Sequence, residues 1–267
     1  MSFSISGKTA IVTGAANGIG LAIARHFVER GANVICADMD ERKLSDEWSD
    51  RAKTEDNIAH FAGDLRQRLT IANLISAAID QFEQIDILVN ASRQMLTTDP
   101  LEVEDISVST LMEQNVMTAL QLTQQVARRM IKQGEDQPDG QVGSIINLSS
   151  IASHHTRPEL MAYSMASAAT EQMTRSMALV LAPHRIRVNA VAFGSVMSHS
   201  LKATMADHTD WREDIRNHTP LGRIAAPSEL SEAVQFLAAE SSGFMTGQVI
   251  TLDGGRSLLD VVAAPAH

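Results

Sequence analysis

Residues 8–27 read KTAIVTGAANGIGLAIARHF and combine two apolar runs with a cluster of glycines between them. The first run, residues 10–12, is typical of a buried strand. The second run, residues 21–27, has the spacing of a helix. The runs are separated by three glycines in the spacing G-x-x-x-G-x-G: Gly14, Gly18 and Gly20. The stretch therefore predicts a strand, a tight turn and a helix.

A glycine turn of this kind favours phosphate binding. Its backbone N–H groups and the following helix N-terminus point at one place, which attracts a negative charge. Glycine is required where φ is positive or where a Cβ would block a close ligand. The spacing differs from the G-x-G-x-x-G of most dinucleotide-binding folds, so a tight turn without a ligand is the alternative.

Composition excludes several classes of protein. The chain has 267 residues, which suits one α/β domain or two small ones. A net charge of −10 argues against a nucleic-acid partner. Cys36 is the single cysteine, so a disulfide framework within the chain is excluded. Because no apolar stretch has transmembrane length and no signal-peptide pattern is present, we expect a cytoplasmic protein without a membrane partner.

Strand and helix signals alternate along the chain, which predicts a parallel sheet covered by helices. The strands are expected at 10–12, 33–38, 58–62, 85–89, 144–148, 186–192 and 249–252. The later helices are expected from after Asp40 to about residue 53 and at 67–83, 103–133, 160–182 and 227–239. In the helix at 67–83, Leu69 and Leu74 are expected on the apolar side. No repeat or linker divides the chain. We expect a single domain over residues 1–267, with a polar lid at about 195–226.

Nine short motifs over residues 5–255 together resemble the short-chain dehydrogenase/reductase family. They are TGAANGIG at 13–20, Asp64-Leu65, DILVNAS at 86–92, the Asn in EQNVM at 113–117, INLSS at 146–150, Tyr163, RVNAVAFG at 187–194, PLGR at 220–223 and TGQVITLDGG at 246–255. The resemblance implies a single Rossmann-like α/β domain, a doubly wound sheet of seven parallel strands. It also implies a dinucleotide across the strands' carboxyl ends, and hydride transfer between NAD(P) and an alcohol or carbonyl substrate.

Asp38, at the end of the second predicted strand, indicates NAD as the cofactor. A carboxylate there accepts hydrogen bonds from both ribose hydroxyls and repels a 2′-phosphate, although a helix-capping role is the alternative. Asn17 agrees, because NADP-using relatives often carry Arg or Lys at that position. The cofactor-binding residues that the resemblance implies are Gly14, Asn17, Gly18, Ile19, Gly20, Asp38, Asp64, Leu65 and Asn90. No metal-ligand cluster is found, and we expect no metal.

Ser150, Tyr163 and Asn115 match three of the family's four catalytic positions. Tyr163 is the only tyrosine in the chain and follows Ser150 by thirteen residues, the family interval. A phenol can protonate a carbonyl oxygen, and a neighbouring hydroxyl can share the charge that develops on it. The resemblance implies that Asn115 orders a helix backbone and a proton-relay water.

The fourth catalytic position departs from the family pattern. Ser167 stands where the family has lysine, Arg93 ends the segment that the family writes N-N-A-G, and Phe193 replaces a proline near the expected nicotinamide pocket. An ammonium about 5 Å from a phenolate is worth roughly 3 kcal/mol at an effective dielectric constant of about 20. Its loss, with the ribose contacts, predicts a rate lower by on the order of 10³-fold. We therefore expect impaired or specialised catalysis, which Ser167→Lys should improve.

Three functions remain open from the sequence. The retained Ser150, Tyr163 and Asn115 favour an oxidoreductase, whereas Ser167 favours a non-catalytic dinucleotide-binding protein with an assembly or regulatory role. A chain that binds no dinucleotide is the third. His154 and His155 either contact substrate or face solvent.

The chain is also expected to assemble with copies of itself. The long helices at about 103–133 and 160–182 resemble those that pair between subunits in the family, which implies a homotetramer. The apolar segment 257–264 is expected to need a partner surface.

Overall fold

Seven parallel strands form one sheet in a computed structural model that describes residues 2–198, 201–202, 205, 210–260 and 262. The strand order is β3-β2-β1-β4-β5-β6-β7. The strands are β1 (Thr9–Thr13), β2 (Asn33–Asp38), β3 (Ile58–Ala62), β4 (Ile87–Asn90), β5 (Gly143–Ser150), β6 (Ile186–Phe193) and β7 (Val249–Leu252). The predicted single α/β domain with a doubly wound parallel sheet is confirmed.

Helices connect the strands and cover the sheet. They are α1 (Gly18–Glu29), α2 (Glu41–Ala52), α3 (Arg68–Phe82), α4 (Ser107–Leu111), α5 (Thr118–Gly134), α6 (Met161–Leu181), α7 (Trp211–Asn217) and α8 (Pro227–Ala238). A π-helical turn, Met112–Met117, joins α4 to α5. Short 3₁₀ turns lie at Ile151–Ser153, Pro158–Leu160, Ala182–His184, Glu240–Ser242 and Arg256–Leu258. Within the described part of the chain, no helix combines the length and the apolar character needed to cross a membrane.

The sheet separates two apolar cores. Successive side chains of β1 point to opposite faces, so Ala10 and Val12 join one core while Ile11 joins the other. The first core is completed by α1, α2 and α8, and the second by α3, α5 and α6. Both faces of the sheet are therefore buried, which explains why its strands are almost continuously apolar.

The chain reverses direction across the sheet between β1 and β4. From β1 it passes outward to β2 and β3, and it then returns to pair β4 with the other side of β1. The loops after β1 and β4 therefore leave in opposite directions, which opens a crevice at the carboxyl ends of these strands.

Most predicted strand bounds agree with the structure, and the predicted apolar side of α3 is right for Leu74 and wrong for Leu69. Leu69 is 73% exposed, and Ile71 is buried with Leu74. Residues 71, 74 and 78 lie on one face of α3 at helical spacing, and a residue two positions before Ile71 points to the opposite side. The predicted lid contains α7, but residues 199–200, 203–204 and 206–209 lie outside the described residues, as do 261 and 263–267.

Candidate active site

A cleft of about 1140 Å³ lies at the carboxyl ends of the strands and collects most of the predicted site residues. Those that line it are Gly14, Asn17, Gly18, Ile19, Gly20, Asp38, Asn115, Ser150 and Tyr163. His154 and His155 also line it and are exposed, so contact with a substrate and exposure to solvent both stay open for them. The cleft thus joins the glycine turn at one end to the serine–tyrosine pair at the other.

The glycine turn has the geometry of a phosphate cradle. Gly14 and Gly18 have φ values of +70° and +59°, which side chains rarely adopt. A Cβ on Gly20 would lie 2.2 Å from the carbonyl oxygen of Gly14, so the start of α1 can approach the turn only without a side chain there. The twelve-residue helix α1 begins within this turn. The residues present therefore fit the pyrophosphate of a dinucleotide.

Asp38 is held at the mouth of this cradle by backbone amides. Its Oδ2 accepts a hydrogen bond from Ala16 N at 3.0 Å, and its Oδ1 accepts one from Asp40 N at 3.0 Å. Each oxygen retains capacity to accept a further hydrogen bond, as two ribose hydroxyls would require. The helix cap that was the alternative for Asp38 is provided by Asp40, whose carboxylate accepts a hydrogen bond from Lys43 N.

Three predicted cofactor residues lie outside the lining of the cleft. Asn90 is buried and donates to Asn147 Oδ1 at 2.8 Å, so it ties β4 to β5. Asp64 binds Arg66 through paired hydrogen bonds, which hold the pKa of the Asp64 carboxyl below its usual value. Leu65 is buried in the second core. A cofactor role for these three residues stays a prediction.

Ser150 is placed to donate a hydrogen bond into the cleft. It is the last residue of β5, and its Oγ accepts from Ala152 N at 3.2 Å. Because that contact uses Oγ as an acceptor, the hydroxyl proton remains for a ligand oxygen.

Tyr163 also lines this cleft. Its ring packs against the small apolar cluster of Leu111, Val116, Ala162 and Ala166. Among the described residues, no protein group forms a hydrogen bond with its Oη. The phenol is therefore fixed by its ring and is available at its polar end.

Arg93 is the site residue that sequence reasoning missed. Its Nη1 donates to the carbonyl oxygen of Ser149 at 2.6 Å, and its Nη2 donates to Ser167 Oγ at 3.0 Å. The guanidinium carbon lies 4.9 Å from the centroid of the Tyr163 ring and 5.7 Å from that of Phe193. A cation therefore occupies the space between position 167 and the tyrosine.

This contact changes the expectation for Ser167→Lys. Ser167 is 1% exposed, so a lysine there would have to enter space that the Arg93 guanidinium fills. Two cations in one small space repel each other, and the single substitution should impair the site rather than improve it. The sequence did contain a signal for this contact. Two positions depart from the family pattern together: the large Arg93 stands where the family has glycine, and the small Ser167 stands where it has lysine.

A buried carboxylate supports the wall behind this site. Glu171 is 1% exposed and accepts hydrogen bonds from the hydroxyls of Ser149 and Ser153. Its Oε2 lies 3.1 Å from His154 Nε2 and 3.5 Å from Arg175 Nη2. The network fixes the turn after β5 and places the imidazole of His154 at the edge of the cleft.

Asn115 fixes the loop that carries Arg93. It lies in the π-helical turn, is 4% exposed, and pairs with the backbone of Gln94. Its Oδ1 accepts from Gln94 N at 2.8 Å, and its Nδ2 donates to Gln94 O at 2.8 Å. The side-chain amide therefore positions the residue next to Arg93, and its role toward a relay water stays a prediction.

Comparison with known proteins identifies the family. The sequence profile of the enoyl-(acyl carrier protein) reductase family matches residues 14–257. A 3-oxoacyl-[acyl-carrier-protein] reductase of Thermotoga maritima is 31% identical over 256 residues, covering 94% of this chain and 98% of the relative. A 2-dehydro-3-deoxy-D-gluconate 5-dehydrogenase of Dickeya dadantii is 29% identical, covering 95% of this chain and 96% of the relative.

The solved structures agree with this assignment. A gluconate 5-dehydrogenase of Burkholderia cenocepacia, in complex with NADP and tartrate, superposes with a TM-score of 0.86. It is 28% identical, and the match covers 97% of this chain and 98% of that structure. The chain belongs to the short-chain dehydrogenase/reductase family.

The pairing of Asn115 with Gln94 predicts an effect on stability. Asn115→Leu would remove two hydrogen bonds to the backbone of Gln94, each worth about 0.5–1.5 kcal/mol, so the free energy of unfolding should fall by about 1–3 kcal/mol. Gln94→Ala is the matched control, since the contact uses only the backbone of Gln94, and it should change stability by less than about 0.5 kcal/mol. Urea denaturation measures both values. Equal stability of the two variants would contradict this account of Asn115.

Proposed function

We propose that the protein is an NAD-dependent oxidoreductase that acts on a small alcohol or carbonyl substrate. One observation carries the proposal: Ser150 and Tyr163 line the same cleft as the glycine turn and Asp38. A substrate in this cleft would therefore be within reach of both the hydroxyl pair and a cofactor held by the glycine turn. The family assignment supports this choice, since the matched relatives bear the names of reductases and dehydrogenases.

The chemistry divides between the cofactor and the side chains. A dinucleotide held by the glycine turn and Asp38 would supply the hydride acceptor for alcohol oxidation or the hydride donor for carbonyl reduction. Tyr163 Oη accepts the hydroxyl proton during oxidation and donates it to the carbonyl oxygen during reduction. Ser150 Oγ donates a hydrogen bond to the same oxygen and stabilises the charge that develops there. Asn115 positions the loop after β4 through Gln94.

Catalysis in this cleft is expected to be impaired or specialised. Position 167 carries a buried serine, and its hydroxyl is engaged with Arg93. The lysine that the resemblance implies would provide a cation beside Tyr163 and a contact to the nicotinamide ribose, and Ser167 provides neither.

The second candidate is a non-catalytic dinucleotide-binding protein with an assembly or regulatory role. The observation that favours it is the sequence of α6, which contains no lysine between Met161 and Leu181. In this candidate the glycine turn and Asp38 bind the dinucleotide, and Tyr163 has no role in proton transfer. The two candidates therefore differ in what a substitution at Tyr163 does.

Tyr163→Phe is the direct test of catalysis. The variant lacks the proton donor and keeps the ring, so kcat for hydride transfer should fall by about 10²–10⁴-fold while NADH binding changes little. Activity is measured on a panel of secondary alcohols and ketones by NADH absorbance. If the wild type binds NADH and transfers hydride to no panel member, or if the variant keeps full activity, the non-catalytic candidate is favoured.

The cofactor is proposed to be NAD rather than NADP. The Asp38 carboxylate, held by two backbone amides, should attract ribose hydroxyls and repel a 2′-phosphate. We expect NADH to bind at least about tenfold more tightly than NADPH, which corresponds to about 1.4 kcal/mol. Asp38→Ser should reduce the preference for NADH over NADPH. Fluorescence titration measures the affinity for each cofactor. Equal or tighter binding of NADPH by the wild type would contradict the assignment.

We further propose a homotetramer and retain a cytoplasmic location as a prediction. Apolar side chains on the outer face of α6 and near the C-terminus are exposed in the single chain: Met165, Leu179, Val180 and Leu258. Such surface favours association between copies. Light scattering should give about four times the chain mass of 28.9 kDa at micromolar concentration. A mass equal to one chain would refute the assembly.

A further inference from the structure

We propose that Arg93 is the cation that stabilises the ionised form of Tyr163 during proton transfer, in place of a lysine on α6. The inference deepens the proposed function and rests on it for the kinetic consequence. Its structural basis is the guanidinium held between the Tyr163 ring and Ser167. Arg93 is separated from Ser167 by 74 residues and belongs to a different element, the loop after β4.

The guanidinium is oriented by contacts on two sides. One edge donates hydrogen bonds to the carbonyl of Ser149 and the hydroxyl of Ser167. Its central carbon lies over the rings of Tyr163 and Phe193, at 4.9 and 5.7 Å from their centroids. Arginine combines a planar cation with several fixed donors, so it can bond at its edge and stack on its face together. Lysine, which has a compact ammonium, cannot reproduce both contacts from position 93.

The backbone on both sides of Arg93 is fixed. Ser92 N donates to Thr13 Oγ1 at 3.0 Å, and this joins the loop to the end of β1. Gln94 is held at both its N–H and its carbonyl by Asn115. Arg93 therefore reaches Tyr163 from a segment with little freedom, so little ordering is needed when the cofactor and substrate arrive.

The charge of Arg93 is permanent and is not cancelled by a direct ion pair. A guanidinium stays protonated at every pH at which an enzyme works. Among the described residues, no carboxylate forms an ion pair with Arg93. A positive charge at the face of a phenol favours the phenolate over the neutral form, because only the phenolate carries a negative charge.

Other charged groups lie near Arg93 and Tyr163. Glu171 on α6 binds the hydroxyl of Ser149 and lies beside His154 and Arg175. His155 and Arg256 line the cleft from the loop after β5 and from the C-terminal segment. Among the described residues, Arg93 is the charged side chain that lies over the face of the Tyr163 ring.

The single tyrosine of the chain permits a test that needs no substrate. Because Tyr163 is the only tyrosine, the tyrosinate absorption in the near ultraviolet reports this side chain alone. We expect Arg93→Met to raise the pH midpoint of that absorption by about one unit or more relative to the wild type. Arg93→Lys keeps a cation and should give an intermediate midpoint. Circular dichroism of the same samples confirms that the proteins remain folded.

Arg51→Met provides the matched control. The Arg51 guanidinium carbon lies 5.4 Å from the centroid of the Trp48 ring, a comparable stack outside the lining of the cleft. Its removal should leave the Tyr163 midpoint unchanged. Equal midpoints in the wild type and Arg93→Met, or the same change in both arginine variants, would overturn the inference.

A set of four proteins then tests the kinetic consequence: the wild type, Arg93→Gly, Ser167→Lys and the double variant. Arg93→Gly should lower kcat/KM for alcohol oxidation by about 100-fold and move its pH profile to higher pH. Ser167→Lys alone should also lose activity, because its ammonium meets the guanidinium. The double variant restores one cation beside Tyr163, so it should exceed both single variants by about tenfold or more.

The outcomes separate the two proposals. An inactive wild type whose midpoint depends on Arg93 rejects the oxidoreductase and supports the placement of the cation. An active wild type whose midpoint and pH profile do not depend on Arg93 supports the oxidoreductase and overturns the inference. If the double variant has no higher kcat/KM than Ser167→Lys, the side chains at 93 and 167 do not compete for one position beside Tyr163. That result also overturns the inference.

Discussion

The close approach of the ends of β1 and β4 is the constraint on which the site depends. A Cβ on Gly14 would lie 3.0 Å from Ala91 O and from two backbone atoms of Ser92, and Gly14 has a φ of +70°, so both the close approach and the backbone conformation favour glycine. Thr13 Oγ1 accepts hydrogen bonds from the amides of Ala91 and Ser92 at 3.0 Å each. The contact between the ends of β1 and β4 therefore positions both the glycine turn after β1 and the loop after β4 that carries Arg93.

This arrangement explains how a cleft with a serine at position 167 can still hold a cation beside its tyrosine. The loop after β4 leaves the Thr13 contact in a fixed direction and is held again one residue beyond Arg93 by Asn115. Its arginine then crosses to α6, where the small Ser167 side chain leaves room and accepts a hydrogen bond. The large side chain at 93 and the small one at 167 therefore meet in one shared space.

Local sequence patterns predicted the fold because the signals for strands and turns are themselves local. The apolar runs at 33–38 and 249–252 become β2 and β7 with the same bounds. The exposure of Leu69 shows the limit of this reasoning, since a helix face is chosen by what packs against it rather than by the apolar character of one residue.

The site was predicted only in part, because some of its contacts join distant positions. Gly14, Asp38, Ser150 and Tyr163 were found from spacing and resemblance, and the structure brings them to one cleft. The role of Arg93 depends on a contact across 74 residues, which no local pattern contains. For Asn90 the structure shows a bond that ties β4 to β5, which the sequence did not reveal, and its contact with a cofactor stays a prediction.

A crystal structure of the protein with bound NADH tests the central claim most directly. Our account predicts an ordered nicotinamide ribose beside Tyr163, with the Arg93 guanidinium still between the Tyr163 ring and Ser167 and with the Asp38 carboxylate on the adenosine ribose hydroxyls. An Arg93 side chain displaced from Tyr163 by the cofactor, or a nicotinamide ordered away from the serine–tyrosine pair, would contradict it.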